Sequence, residues 1–285
     1  MDRKVLLSAD SVCDIGDELR EACKVQYFYF HIQLGDQSFV DMVDITPEEI
    51  YETWRTEKIL PKTAAITPDE YSEFFQKWVE EGYEVVHINL GSALSSAHQN
   101  CCIAAQSLGN VYPIDSGNLS SGIGHLVLKA RELIDTGMPA KEVATKLQEL
   151  RSKVHASFVL HTLEFMKAGG RCSSVAAFGA NLLNLKPCIE VDNEQGAAMR
   201  VGKKYRGDME KVLVKYIADK LEGRTDIDTD RVFITHSGSP DSDIALAKAE
   251  VLKHIPFEKV YVTHAGGTIS SHCGPRTLGV LFMTK

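Results

Sequence analysis

The sequence has no Cys-x-x-Cys pair, although it holds seven cysteines, at positions 13, 23, 101, 102, 172, 188 and 273. An odd, scattered set argues against a disulfide framework and reads as free thiols in a reducing cytosol. No window approaches eighteen uninterrupted apolar residues, so no membrane-spanning helix is expected. The opening run from Met1 to Asp10 is too short in apolar residues for a signal peptide and has no small-residue cleavage pattern. A cytoplasmic location follows as an expectation. Positive charge is also scarce: 31 Lys and Arg stand against 39 Asp and Glu, a net charge of −8, which argues against a broad nucleic-acid-binding face.

Several catalytic signatures are missing too. There is no Gly-x-x-x-x-Gly-Lys-Ser/Thr phosphate loop, no Gly-x-Ser-x-Gly nucleophile elbow and no His-Glu-x-x-His zinc motif. Gly122-Ile-Gly124 lacks the third glycine of a dinucleotide fingerprint and lies inside a helical stretch. The ten histidines match no metal-ligand spacing.

What is present is the pattern of an α/β protein. The apolar share of 44% and charged share of 25% are those of an ordinary globular chain, and 285 residues suffice for one large or two medium domains. Val5–Ser8, Val85–Leu90, Val111–Asp115, Ala156–Leu160, Val232–Thr235 and Val260–Thr263 read as buried strands. Thr46-Pro47-Glu48-Glu49 and Thr67-Pro68-Asp69-Glu70 each place Thr at N-cap, Pro at N1 and Glu at N3, two capping boxes. Further helices are expected from Ser121 to Thr136, from Pro139 to about Lys153, over Asp208–Leu221 and over Asp241–Lys253. Strand-then-helix alternation implies two closely packed α/β domains, the first with a largely parallel sheet and the second with a mixed sheet. The boundary falls near residue 155, giving 1–155 and 156–285. Cys188–Asp192 and Ala197–Val201, separated by Asn193-Glu-Gln-Gly196, read as an antiparallel hairpin, and Val280–Met283 as a terminal strand.

The most informative stretch runs from His161 to Pro187. It reads as a short helix ended by Gly169-Gly170, then Arg171, then Ser173-Ser174 in N-cap style before an apolar run from Val175 to Leu185. An arginine beside a helix N-terminus attracts anions, and an apolar wall beside that point suits an amphiphile. The same residues also fit a plain helix–loop–helix corner. Hydroxyl-rich breaks follow several strands: Ser8-Ala-Asp10-Ser11, Leu90-Gly-Ser92-Ala-Leu94-Ser95-Ser96 and Asp115-Ser-Gly-Asn118-Leu-Ser120-Ser121. Lys62-Thr63-Ala-Ala-Ile-Thr67 is a fourth, before a helix. Each alone fits N-capping, but together they offer hydroxyl and amide donors at the crevice where open α/β sheets bind ligands. Such donors suit a carboxylate. Gly266 to Gly279 reads as a glycine-dense turn containing His272.

These pieces, in this order, resemble the DegV family of fatty-acid-binding proteins, the lipid-carrying subunits of the bacterial fatty acid kinase system. Asp10-Ser11-x-x-Asp14 looks like the family's first motif and Asp41-Met-Val-Asp44-Ile-Thr-Pro-Glu-Glu-Ile-Tyr51 its second. Lys62-Thr63 and Leu94-Ser95 match two more. Leu163 to Ser174, Leu182-Leu-Asn-Leu-Lys-Pro187 and Ser271-His272-x-Gly274-Pro275-x-Thr277-Leu-Gly279 complete the set. The resemblance implies a non-enzymatic carrier that shields a long-chain fatty acid and presents its carboxylate to a separate kinase, which makes the acyl phosphate. It implies that Thr63 and Ser95 grip the carboxylate. Arg171, His272 and Gly170 are then near the head group or the partner. No metal or cofactor is implied, no nucleic-acid partner, and no membrane contact beyond a transient one at the surface.

The chain departs from the family pattern at Ala64, where serine is usual, at Ser96-Ala97-His98, which replaces Gly-Thr-Tyr, and at Arg276, where glycine is usual. Tail burial is the expected source of affinity: roughly fifteen methylenes at about 0.8 kcal/mol each give on the order of 12 kcal/mol gross. Phe158, Leu160, Phe178 and Leu182 are candidate wall residues. The alternative is a phosphotransferase in which Asp10, Asp14, Asp41 and Asp44 hold magnesium; those aspartates equally fit N-capping and loop hydrogen bonding. A scaffold without any ligand is a third reading.

Overall fold

The computed structural model describes residues 4–176 and 185–285. Strands β1 (Lys4–Asp10), β2 (Gln26–Phe28), β3 (His31–Leu34), β4 (Gln37–Val40), β5 (Lys62–Ala64), β6 (Tyr83–Asn89) and β7 (Val111–Asp115) occupy the first half. They alternate with α1 (Gly16–Cys23), α2 (Pro47–Glu57), α3 (Pro68–Glu80), α4 (Ala97–Leu108), α5 (Ser121–Asp135) and α6 (Ala140–Leu150). The second half runs β8 (Val154–Val159), α7 (Glu164–Gly169), α8 (Ser173–Ala176), β9 (Leu185–Asp192), β10 (Ala198–Arg206) and α9 (Met209–Leu221). It ends with β11 (Ile227–Ser237), α10 (Asp241–His254), β12 (Lys259–His264), α11 (Gly267–Cys273) and β13 (Thr277–Thr284).

β2-β1-β6-β7 form a four-stranded sheet, parallel throughout. Its central strands β1 and β6 are buried over most of their length, the usual condition of a parallel sheet. β10-β9-β8-β13-β11-β12 form a six-stranded mixed sheet, antiparallel except where β11 meets β12. The two-residue period of its strands serves two cores. Phe158, Ile189, Phe233 and Leu281 join a core shared with the first sheet, while Val159, Cys188, Val232 and Phe282 pack with residues of α9 and α10. Helix α5 touches β1 and β6 on one side and β8 and β13 on the other, and from Ser121 to Leu128 it is wholly buried.

Both capping boxes form as read: the Thr46 and Thr67 hydroxyls accept from Glu49 N and Glu70 N, and each Glu carboxylate accepts the Thr amide. The hairpin also forms, with longer arms than expected (β9 and β10). Three expectations need correction. Lys62–Ala64 is a strand rather than a loop, pairing with β3 in a small β4-β3-β5 antiparallel sheet. Residues 267–273 form a helix, not a turn. Ser173 opens α8 from inside the helix, and Ser174 Oγ accepts the Val201 amide at 2.9 Å instead of capping. The apolar run expected after Val175, including Phe178 and Leu182, lies mostly outside the described residues.

The turn of the β9–β10 hairpin sits on the loops that leave β6 and β7. Ala93 N donates to Gly196 O at 2.8 Å, and a Cβ added to Gly117 (φ +57°) would lie 2.3 Å from Asn193 O. Gly117→Ala therefore combines left-handed strain with a backbone clash, and should destabilise the fold by about 2–4 kcal/mol. A fall in the urea midpoint at unchanged m-value would register it; an unmoved midpoint would show that the contact yields freely.

Candidate functional site

A cavity of about 830 Å3, including its opening to solvent, lies between the loops at the carboxyl ends of the parallel sheet and the inner face of the mixed sheet. Phe30, Leu94, Leu119, Phe158, Met199 and Leu281 supply apolar wall from both halves. Its largely apolar lining with a few polar groups is that of a small-molecule site. Leu160 is buried but does not line it; Phe158 does.

Thr63, Ser95, Arg171 and His272 all line this cavity, although they come from four separate elements. Thr63 is carried by β5, where it stands opposite Ile32 of β3. Its Oγ1 lies 2.8 Å from Nε2 of His272 on α11. Burial, and then the charge of Arg171, push the His272 imidazole down to about 4, so it is neutral near pH 7. With its proton on Nε2, the ring donates to Thr63 and frees the threonine hydroxyl to donate into the cavity. Nδ1 is buried without a partner. Ser95 precedes α4, and its oxygen accepts the Ala97 amide at 3.2 Å, which leaves its proton available. The amino end of α4 adds a favourable dipole for an anion there.

Arg171 is exposed and bridges two segments. Nη1 donates to Gly169 O at 2.7 Å and Nε to Leu94 O at 3.4 Å, tying the end of α7 to the Ser95 loop. Gly170 does not line the cavity: it caps α7 at φ +67°, and nothing lies within 4 Å of a Cβ placed there. The glycine that matters sterically is its neighbour. A Cβ on Gly169 would stand 2.2 Å from His272 Nδ1. The sequence reading missed this, and also the two methionines, Met166 and Met199, in the wall. The i, i+4 pairs Thr268–His272 and Ile269–Cys273, which all face the cavity, were the available signal for α11.

A family model described as "uncharacterised protein, DegV family" matches residues 4–285. The chain belongs to the DegV family. A DegV domain-containing protein of Clostridium acetobutylicum is 26% identical over 99% of each chain, and one of Clostridium perfringens is 27% identical over 99% of each. Among solved structures, a Thermus thermophilus DegV protein described as fatty acid binding is 30% identical. It aligns with a TM-score of 0.87 over 99% of this chain and all of its own. A Ruminococcus gnavus family member solved with vaccenic acid, 19% identical, shares the fold at a TM-score of 0.86, with 99% of this chain and 100% of its own aligned.

The aspartates of the first two DegV motifs are engaged separately. Asp10 accepts from Tyr71 OH (2.7 Å), His87 Nε2 (3.0 Å) and Leu90 N (2.7 Å). Asp14 accepts from Ser120 Oγ (2.5 Å) and Gly266 N (2.9 Å), and Asp41 from Gly267 N (2.8 Å) and Thr268 N (3.0 Å). Asp44 closes its own turn through Val40 N at 2.5 Å. Among the described residues, no group of three His, Cys, Asp or Glu side chains is placed to share a metal. Arg276, at φ +58°, pairs with buried Asp243 at 2.7 Å. The left-handed backbone at this position accounts for the glycine of the family pattern.

The depressed His272 value fixes a pH signature. Between its ordinary 6.5 and the folded value of about 4, the unfolded chain binds a proton that the native state refuses, so stability falls as pH drops through that window. His125 and His236, also pushed down to about 4 chiefly by burial, act the same way. His272→Gln should make the decline from pH 6.5 to 4 shallower by up to about one proton. Denaturation midpoints across that range test this; parallel curves for the two proteins would contradict a neutral, buried His272.

Proposed function

We propose that this chain binds a long-chain fatty acid in the cavity, tail against the apolar wall and carboxylate at Thr63 and Ser95. It would then present that carboxylate to a separate kinase for conversion to an acyl phosphate. The observation that carries the reading is the convergence of four motif residues on one largely apolar cavity, in a chain 30% identical to a fatty-acid-binding relative. The halves 1–155 and 156–285 are, in this proposal, the two units between which the lipid lies. Tail burial supplies most of the gross driving force, on the order of 12 kcal/mol for roughly fifteen methylenes, reduced by the ordering costs of binding. The hydroxyls set which end of the ligand reaches the rim. Among the described residues, no helix is long and apolar enough to cross a membrane.

Native mass spectrometry of the protein as expressed, followed by lipid extraction, is the direct test. A bound C14–C20 acid is the expected mass; the bare chain alone would defeat the reading. Incubation with ATP, magnesium and oleate separates carrier from enzyme: acyl phosphate should form only when a fatty acid kinase is added, and its formation by this chain alone would overturn the carrier role.

Thr63→Ala and Ser95→Ala should each weaken fatty-acid binding by about 1–3 kcal/mol, the loss of a hydrogen bond to a charged group in a dry site. The double variant should be sub-additive, since both hydroxyls serve one carboxylate. Unchanged affinity in both single variants would mean that the tail alone determines binding. Arg171→Ala should retain lipid and lose phosphorylation by the kinase; losing both together would place Arg171 on the lipid, and losing neither would reduce it to the corner tie described above.

A further inference from the structure

The carboxylates of Asp14 and Asp41 meet the chain at three consecutive amides. Asp14 follows β1 and Asp41 follows β4, yet both reach the segment that opens α11. Asp14 Oδ1 accepts from Gly266 N at 2.9 Å, Asp41 Oδ1 from Gly267 N at 2.8 Å and Asp41 Oδ2 from Thr268 N at 3.0 Å. Both carboxylates are almost wholly buried. Glycine permits the approach: a Cβ on Gly267 would stand 2.8 Å from Asp41 Oδ1 and 2.7 Å from Ile32 Cδ1. Asp14 turns its other oxygen to Ser120 Oγ, whose residue lines the cavity. One turn further along α11 from Thr268 is His272, in contact with Thr63.

From this geometry we propose that Asp14 and Asp41 are positioning residues for the head-group site, a two-carboxylate clasp on α11 that holds His272 in register with Thr63. Neither carboxylate lines the cavity. They act through the helix. The amides at a helix start have no intrahelical acceptor, and a buried carboxylate fills that need with charge-assisted bonds. The rotational setting of so short a helix then follows from where its first amides are held. The two residues differ in what they tolerate. Asn at 14 keeps both bonds, its oxygen accepting from Gly266 N and its amide donating to Ser120 Oγ. Asn at 41 places an NH2 against the Thr268 N–H and loses that bond.

This proposal rests on the reading of Thr63 as a carboxylate ligand, and two of its three readouts need no lipid. First, Asp41→Asn should raise the dissociation constant for oleate about tenfold or more, while Asp14→Asn stays within about threefold of wild type. Second, the His272 titration followed by NMR should move in Asp41→Asn from about 4 toward its ordinary 6.5, as the ring leaves its buried setting. A merely stabilising role would leave that titration in place. Third, in the wild-type protein the amides of Gly266, Gly267 and Thr268 should exchange slowly with solvent.

Should Asp41→Asn fail to fold, Gly267→Ala drives a Cβ against Asp41 Oδ1 and Ile32 Cδ1, displaces the same helix and should give the same two shifts. A folded Asp41→Asn with wild-type oleate affinity and His272 still titrating at about 4 would overturn the clasp, as would loop-like exchange of the three amides. If wild type binds no fatty acid, the ligand reading falls, and the titration and exchange results decide the clasp by themselves.

Discussion

Carboxylates that accept backbone amides hold the walls of the cavity where they are. A loop leaving a parallel strand exposes N–H groups that no sheet partner can fill, and each needs an acceptor once water is excluded. Here aspartates supply it. Asp10 takes Leu90 N, and Asp115 takes Ser92 N at 3.1 Å and Gly117 N at 3.0 Å. Asp14 and Asp41 take the amides ahead of His272. A short acidic side chain suits the task because charge-assisted bonds are stronger than neutral ones and leave little length to go slack. Burial opposes ionisation, and it shows: Asp14 is pushed up to about 7, with desolvation the main cause. The motif acids Asp10, Asp14 and Asp41 are thus consumed in hydrogen bonds within the fold, and the polar chemistry of the cavity is left to neutral groups and Arg171.

The mixed sheet makes the apolar side possible. Because its central strands β8 and β13 are buried on both faces, one face can pack α9 and α10 while the other forms cavity wall and shared core. Helix α5 fills the remaining space between the sheets; its buried first two turns tie the two halves through packing, and near its carboxyl end Glu132 pairs with Arg231 of β11. Its His125 donates from Nε2 to Leu281 O at 3.0 Å, a polar stitch between that helix and the terminal strand. The wall can therefore be apolar without the halves drifting apart.

Much of this was legible in the sequence because it rests on local chemistry. Thr-Pro-x-Glu fixes two helix starts through contacts within four residues, and runs such as Val111–Asp115 can hardly be anything but buried strands. The small antiparallel sheet was not legible: β5 has three residues, too few for a period, and its pairing with β3 is a tertiary event. α11 was hidden by Gly267 and three hydroxyl residues, poor helix formers that tolerate this conformation because Asp14 and Asp41 meet the amides at its start. At the α7 corner the sequence pointed to Gly-Gly, but only the packing shows that Gly170 serves the backbone turn and Gly169 the contact with His272. Motif resemblance selected Thr63, Ser95, Arg171 and His272; the fold brings them to one cavity. Their spacing along the chain carries no trace of that convergence.

The choice of neutral donors at the rim has a chemical consequence for a carrier. A carboxylate locked to a buried cation needs large compensation to enter and is slow to leave, because separating the pair exposes an uncompensated charge. In the proposed reading two hydroxyls, one of them held by a neutral imidazole, orient the same carboxylate at smaller cost. They also leave its oxygens electron-rich, as attack on a phosphoryl group requires. Arg171 fits this division of labour. Its exposed guanidinium already ties the Gly169 and Leu94 carbonyls, so its charge stands beside the rim while its position is set by the backbone. A cation held in that way can steady developing negative charge at the mouth without becoming the permanent counter-ion of the ligand. In the proposed reading, tight holding of the tail and ready surrender of the head group are therefore compatible, since they depend on different parts of the cavity.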